Sequence, residues 1–295
     1  MKQTSNRTKV PKVVKLNEML TTEFKSDNTF TQLWVSDLHL DSPYTDKKKV
    51  KKLFDKALEN GWQINILGDT FDIMGGKYDK RTIKGDIKVE HSVDNYLMAV
   101  TRDIAQFLAP YIDNIGFISS GNHEKEIDKR IELYMLELLD LCMYELTHKH
   151  INWTKEYAGF MRITGARDVC KVPVEVFWEH GRDGNASMSL GALNVKRRAA
   201  TITADIFISG HIHRNLSVPL NRIYLSKNGY VKVREQLHIQ LGTGKESKSV
   251  DYFSARKGFD PASTSMYTIT YKYVRTYSGN KEDQYIDFIE NRIKL

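Results

Sequence analysis

Five short stretches rich in Asp, His and Asn constrain this chain more than any other feature. They are Asp37-Leu38-His39, Gly68-Asp69-Thr70-Phe71-Asp72, Gly121-Asn122-His123-Glu124, His180-Gly181 and Gly210-His211-Ile212-His213. An apolar run that reads as a buried strand precedes each of them: Leu33 to Val35, Ile64 to Leu67, Ile115 to Ile118, Val172 to Trp178 and Ile206 to Ile208. The polar blocks therefore fall at the carboxyl ends of strands, where open α/β sheets place their chemistry. Five of the nine histidines lie inside the blocks, a concentration that chance placement would rarely give.

The segments between the blocks set the order of elements. Asp46 is a plausible N-cap for a helix with Val50, Leu53, Phe54, Ala57 and Leu58 at helical spacing, stopped by Asn60-Gly61. The strand before it ends at Asp37 and the strand after it at Asp69, which predicts a right-handed βαβ unit with parallel strands. Residues 73–92 read as a long polar loop, followed by a helix from Val93 to Leu108 closed by Pro110. One long helix is expected over 125–147, with Ile127, Ile131, Leu138, Leu139, Cys142 and Leu146 facing the core. Strands are expected at 158–163 and 172–178, a basic helix at 189–200 and a strand at 204–209. The remainder is read as mostly β, over 221–225, 231–240 and 266–274. The expected division is a basic N-terminal extension over 1–28, partly ordered at best. One domain then covers 29–295, with 216–295 as its β-rich C-terminal part.

At 295 residues the chain can bury a sizeable core. No apolar run approaches the roughly 20 residues needed to span a bilayer, and the N-terminus leads into no apolar signal region. Two cysteines, Cys142 and Cys170, are too few for a disulfide framework. A cytoplasmic, reducing location is the expectation. The formal net charge of +7 suits a polyanionic partner, with lysines concentrated near the N-terminus and at Lys47-Lys48-Lys49, Lys51, Lys52 and Lys56.

The blocks carry a mixed oxygen and nitrogen donor set: Asp37, His39, Asp69, Asn122, His180, His211 and His213. Seven such donors are too many for one ion. They fit two divalent ions roughly 3.5–4 Å apart that share one carboxylate. Mixed imidazole and carboxylate donors suit Mn, Fe, Zn or Co more than Ca.

In these motifs the chain resembles the calcineurin-like metallophosphoesterase superfamily, whose pattern is Asp-x-His, Gly-Asp-x-x-Asp, Gly-Asn-His-Asp/Glu, His and Gly-His-x-His. The resemblance covers roughly residues 31–215. It implies an α/β fold, a β-sandwich flanked by helices, with a dinuclear metal site at the strand ends. Asp37, His39, Asp69 and His213 would hold one ion, and Asp69, Asn122, His180 and His211 the second. His123 would act on the leaving oxygen of a phosphoester attacked by a metal-activated hydroxide, with Asp72 orienting His123. Manganese is the ion that the family habit favours. The stretch from Tyr252 to Pro261 looks like a tail in phage-encoded relatives.

For substrate, Ile73-Met74 stand where protein phosphatases carry Arg-Gly, which argues against that branch. The block Gly68 to Asp72 looks closer to DNA-repair exonuclease subunits and to UDP-diacylglucosamine hydrolases. Basic charge tilts the expectation toward DNA or RNA. A small-molecule phosphatase or nucleotide pyrophosphatase is the alternative, and a non-catalytic scaffold like the retromer subunit of this fold is the remote one. Arg197, Arg198, Arg256 and Lys257 are candidate phosphate contacts. His91, His148, His150 and His238 match no motif and read as surface or helix-end residues. Trp34 and Trp178 read as core, and Trp62 as packing at a helix end.

Overall fold

Apolar runs flanked by Gly and Asp become the central strands. A computed structural model of the chain describes residues 10–24, 29–73, 87–165, 172–181, 192–226, 228–246, 262–278 and 281–295. Strands β3 (Phe30–Val35), β4 (Gln63–Leu67) and β5 (Ile115–Ser119) are parallel neighbours, buried on both faces as such strands must be. They belong to a six-stranded sheet ordered β13-β12-β3-β4-β5-β6, where β6 is Trp153–Thr154, β12 is Ser265–Ser278 and β13 is Lys281–Lys294. A seven-stranded sheet faces it, ordered β1-β2-β7-β8-β9-β11-β10. Its members are β1 (Val13–Leu16), β2 (Met19–Phe24), β7 (Ala158–Gly165), β8 (Val174–Glu179), β9 (Ile206–Ser209), β10 (Leu216–Leu225) and β11 (Val231–Gln240).

Alternation along each strand divides the core into layers. Trp34, Leu67, Phe117, Met161, Val176, Trp178, Ile208, Ile239 and Tyr271 fill the space between the sheets. Leu33, Val35, Ile64, Ile66 and Ile118 point the other way. They meet α1 (Lys47–Glu59), α2 (Tyr96–Leu108) and α4 (Met135–Thr147) through Val50, Phe54, Val100, Ile104 and Leu139. A smaller apolar group of Phe177, Ala204 and Phe207 lies apart from both. The expected α/β sandwich with helices outside it is the architecture found. Trp34 and Trp178 are core, as expected. Helix α1 opens on Asp46, whose carboxylate accepts from the amides of Lys48 and Lys49, and it stops at Asn60. Among the described residues, no helix is long and apolar enough to cross a membrane.

Several local expectations are corrected. Residues 13–24, read as part of a basic extension, form an antiparallel hairpin whose β2 pairs in parallel with β7. Val13, Leu20 and Phe24 reach the core between the sheets, so short apolar residues spaced among polar ones made a strand that composition disguised. The single helix expected over 125–147 is two, α3 (Asn122–Ile131) and α4. Glu132 takes a left-handed conformation, φ 54°, and the Asp128 carboxylate accepts from the Met135 amide at 2.8 Å, which starts a new helix axis. Leu139 and Cys142 are buried on α4, but Leu146 is half exposed. Strand β13 was not foreseen, because half of its fourteen residues are charged; it is an edge strand with a solvated face. His91 and His238 are buried, not at the surface. His91 Nε2 lies 3.0 Å from Asp103, and His238 stacks on Phe207 with ring centroids 4.2 Å apart. Burial and the nearby Arg198 push the His238 imidazole down to about 4. His148 caps the end of α4 and His150 is exposed, as expected. Of the 73–92 loop, residues 74–86 lie outside the described residues, as do Cys170 and the tail stretch 252–261.

Candidate metal centre

The five motif-bearing strands deliver their side chains to one end of the sandwich. Asp37 and His39 follow β3, Asp69 follows β4, Asn122 and His123 open α3 after β5, His180 follows β8, and His211 and His213 follow β9. The first three strands belong to one sheet and the last two to the other, so the site bridges the sheets at their carboxyl ends. The backbone bends sharply to bring the side chains together. Asp37, His39, Asp69, His211 and His213 all have positive φ, between 45° and 72°. Each such turn costs a non-glycine residue roughly 1–3 kcal/mol and persists only where the surroundings impose it. Here the amides of Asp37, His39 and Leu40 bond across to the carbonyls of Gly68, Asp69 and Thr70 at 2.9–3.2 Å, zipping the first block to the second. Gly68 has φ +70°, and a Cβ there would lie 2.3 Å from His180 Nδ1. A Cβ on Gly121 would meet Asp69 Oδ1 at 2.0 Å, so the third block needs glycine to approach the second.

Two clusters of donor atoms result. Asp37, His39 and His213 offer atoms within 4.8 Å of one another, as do Asp69, His180 and His211. Asn122 Oδ1 completes the second cluster, 3.1 Å from His180 Nε2 and 2.8 Å from His211 Nδ1. His213 Nε2 lies 3.2 Å from Asp37 Oδ1, and His180 Nε2 lies 3.2 Å from Asp69 Oδ2. A third grouping joins His39, Asp69 and His123. Asp69 therefore stands between the two clusters.

The ring tautomers follow from partners that can only accept. His180 Nδ1 donates to the Leu67 carbonyl at 2.9 Å, which turns Nε2 toward Asp69 and Asn122. His39 Nδ1 faces the Phe71 carbonyl and the Asp72 carboxylate, both at 3.2 Å. Its Nε2 is buried without a hydrogen-bond partner. Burial, with Lys245 nearby, pushes the His39 imidazole down to about 4, so it is neutral at pH 7 and its Nε2 presents a lone pair. A buried, unpartnered nitrogen beside two carboxylates fits a cation ligand. His123 Nδ1 donates to the main-chain carbonyl of Asp72 at 2.5 Å, and its Nε2 lies 3.7 Å from Asp69 Oδ2. The Asp72 carboxylate is farther from His123, at 3.6 Å. It is the Asp72 main chain that lies closest to that ring.

Burial opposes ionisation of Asp37 and Asp69, but the surrounding imidazoles outweigh it and hold both carboxyls below their ordinary value: His180 and His213 for Asp37, His180 and His123 for Asp69. Burial also works against charge on His180, yet Asp69 and Asp37 raise it to about 10. Without a cation, a proton on His180 Nε2 serves to screen the two carboxylates. The stability of metal-free protein should reflect this. His180 binds its proton more tightly folded than unfolded, so its contribution is complete below about 6.5 and is lost as pH rises toward 10. Glu124, raised to about 8 by burial and by Asp69, loses stability in the same direction. Thermal melts of chelator-treated protein should fall in midpoint from pH 6.5 to 10. If these donors hold a divalent ion, it would take the place of the His180 proton, and the decline in Mn should be much smaller.

Several residues that hold the site drew no role from the sequence. Glu124 is fully buried; one oxygen accepts from the amides of Asp69 at 3.1 Å and Gly121 at 2.8 Å, the other from Phe71 at 3.0 Å. Its place in the block Gly-Asn-His-Glu was the available signal. The Asp41 carboxylate accepts from the amides of Asp72 and Ile73. Lys245 donates to Asp72 Oδ1 at 2.6 Å. Of the candidate phosphate contacts, Arg198 is engaged by Glu179 and by Ser209 Oγ at 3.2 Å. Arg197 is exposed on α5 (Ala192–Thr201), and Arg256 and Lys257 lie outside the described residues.

No protein-family model and no curated protein matches the chain. Among solved structures it is similar to vacuolar protein sorting 29 from Cryptosporidium parvum, at 15% identity and a TM-score of 0.36, covering 89% of this chain and 99% of that one. It is also similar to a conserved uncharacterized protein, a predicted phosphoesterase, from Streptococcus pneumoniae, at 11% identity and a TM-score of 0.31, over 88% and 99%. A third is Vps29 from Entamoeba histolytica in complex with zinc, at 13% identity and a TM-score of 0.32, over 88% and 99%. Likenesses of this size say nothing about chemistry, which rests on the side chains themselves.

Proposed function

We propose that this chain is a metal-dependent phosphoester hydrolase of the calcineurin-like type, acting on nucleic acid as a phosphodiesterase or nuclease. The observation that carries the reading is the buried, unpartnered Nε2 of a neutral His39 within a cluster that also holds Asp37 and His213. Asp37, His39, Asp69 and His213 would hold one divalent ion, and Asp69, Asn122, His180 and His211 the other. Manganese is the first choice, with iron, zinc or cobalt equally suited to these donors. Two such ions, when bound, neutralise the oxygens of a phosphoester and acidify an attacking water.

The protein's own side chains supply the rest. The carbonyls of Leu67 and Phe71 fix the rings of His180 and His39, so neither must reorganise during the reaction. His123 is held through Nδ1, which leaves Nε2 to deliver a proton to the leaving oxygen. The positive charge of the chain supports a polyanionic substrate, and Lys48 and Lys52 stand exposed on α1. One observation favours a smaller phosphoester instead: Lys47, Lys49 and Lys51 of the same helix are paired with Asp103, Glu246 and Asp55. A scaffold role would tolerate a depleted donor set, whereas all seven donors and His123 are retained and converge here.

The test is a cleavage assay in Mn, with labelled single- and double-stranded DNA beside chromogenic monoester and diester substrates. Wild type should shorten DNA, and His123→Ala should be slower by about 10²–10⁴-fold, the usual worth of a positioned acid. Intact DNA with fast chromogenic turnover would make the protein a small-molecule phosphoesterase. No turnover of any of these substrates would count against the enzyme reading itself.

A further inference from the structure

We infer that Lys245 is a positioning residue for His123, acting through Asp72 without touching substrate; the inference rests on the phosphoesterase reading above. Lys245 follows β11 in a segment, 241–246, that straps the first two blocks together. The Thr243 hydroxyl and the Gly244 amide both donate to the Asp37 carbonyl, at 2.7 and 2.9 Å. Lys245 itself bridges to Thr45, and the Glu246 amide donates to the Tyr44 carbonyl. The strap therefore holds Lys245 at a fixed place, with Nζ 2.6 Å from Asp72 Oδ1 and the side chain only 12% exposed.

Asp72 is 3% exposed and anchored at each of its polar groups. Its amide donates to Asp41, its carbonyl accepts from His123 Nδ1, and its carboxylate lies between Lys245 Nζ and His39 Nδ1. The same carboxylate is 3.6 Å from His123 Nδ1. Two oxygens of one residue thus compete for one ring proton. With Lys245 in place the carboxylate has a full positive charge at hydrogen-bond distance, and the His123 N–H goes to the main-chain carbonyl. Without Lys245 a buried carboxylate is left short of a cation, a costly state. It would then draw on the N–H groups within 3.6 Å and turn the His123 ring away from the line set by the main chain. A lysine just after β11 would thereby decide where the catalytic imidazole points, across 122 positions of sequence.

The test uses the full chain with Lys245→Met, Lys245→Arg and Asp72→Asn. The first readout needs no activity: nitrogen NMR of metal-free protein labelled at histidine. Wild type and Lys245→Arg should show the same His123 Nδ1–H resonance, which shifts in Lys245→Met as the proton passes from the main-chain carbonyl to the carboxylate. In Mn kinetics, assayed well below its lowered melting temperature, Lys245→Met should lower kcat about tenfold or more at a KM within twofold of wild type, and Lys245→Arg should recover most of both losses. Adding Asp72→Asn to Lys245→Met should cost little more, because both act on one link. A raised KM at constant kcat would make Lys245 a substrate contact and overturn the inference, as would additive losses or an unchanged His123 signal. If wild type hydrolyses nothing, the functional reading fails, and the NMR result still decides the positioning claim.

Discussion

Asp69→Asn is expected to cost about 10³-fold or more in hydrolysis and to leave the protein folded. Asp69 stands between the two donor clusters, with Oδ2 at 3.2 Å from His180 Nε2 and 3.7 Å from His123 Nε2. Its other oxygen accepts from the His123 amide at 3.0 Å. An asparagine retains that contact through its carbonyl and keeps the shape, so the fold should survive. What is lost is the negative charge that two ions would share. Metal centres supply several kcal/mol of transition-state stabilisation, and each 1.36 kcal/mol is tenfold in rate. Steady-state kinetics in Mn, with circular dichroism as the control for folding, checks this. Activity within tenfold of wild type would mean that Asp69 does not join the two clusters.

Glu124→Ala should produce the largest loss of stability of any single change at the site, about 3–5 kcal/mol. Three amides from two different blocks end on this one buried carboxyl group, those of Asp69, Phe71 and Gly121. Without it, three donors are left bare in the interior, each at a desolvation cost of about 1–3 kcal/mol. The effects are not additive, because the loop can relax once freed. Urea unfolding of metal-free protein should show the shift in midpoint, and Glu124→Gln, which keeps one acceptor oxygen, should fall between. The same variant should also weaken Mn binding, since the left-handed turn at Asp69 depends on the amides that Glu124 holds. A shift under 1 kcal/mol would show that these amides find other partners.

The sequence carried the strand ends more clearly than the architecture around them. Each donor follows an apolar run of fixed type, and the period of a strand leaves only its end free to leave the sheet. Asp37, Asp69, Asn122, His180, His211 and His213 could therefore be placed before the fold was known. Which strands become neighbours depends on pairing over long sequence separations, and no local pattern encodes it. The parallel union of β2 with β7 joins Leu20 to Met161, and the charged edge strand β13 is held by β12 along its whole length. The supporting carboxylates were hidden for a similar reason. Nothing local marks Asp41 as the acceptor of two amides or Glu124 as that of three, and Asp72, read as orienting His123, is shared by a lysine and a histidine. His238 misled in the other direction: a lone histidine outside any motif sits beneath the surface, stacked on Phe207.

Whether two cations belong among these side chains is decided by calorimetric titration of metal-free protein with Mn. Two ions should bind per chain, with one site lost in His39→Ala, where the buried Nε2 is removed, and binding falling as pH drops through the range where imidazoles protonate. Absence of any saturable binding, or an isotherm unchanged by His39→Ala, would contradict it.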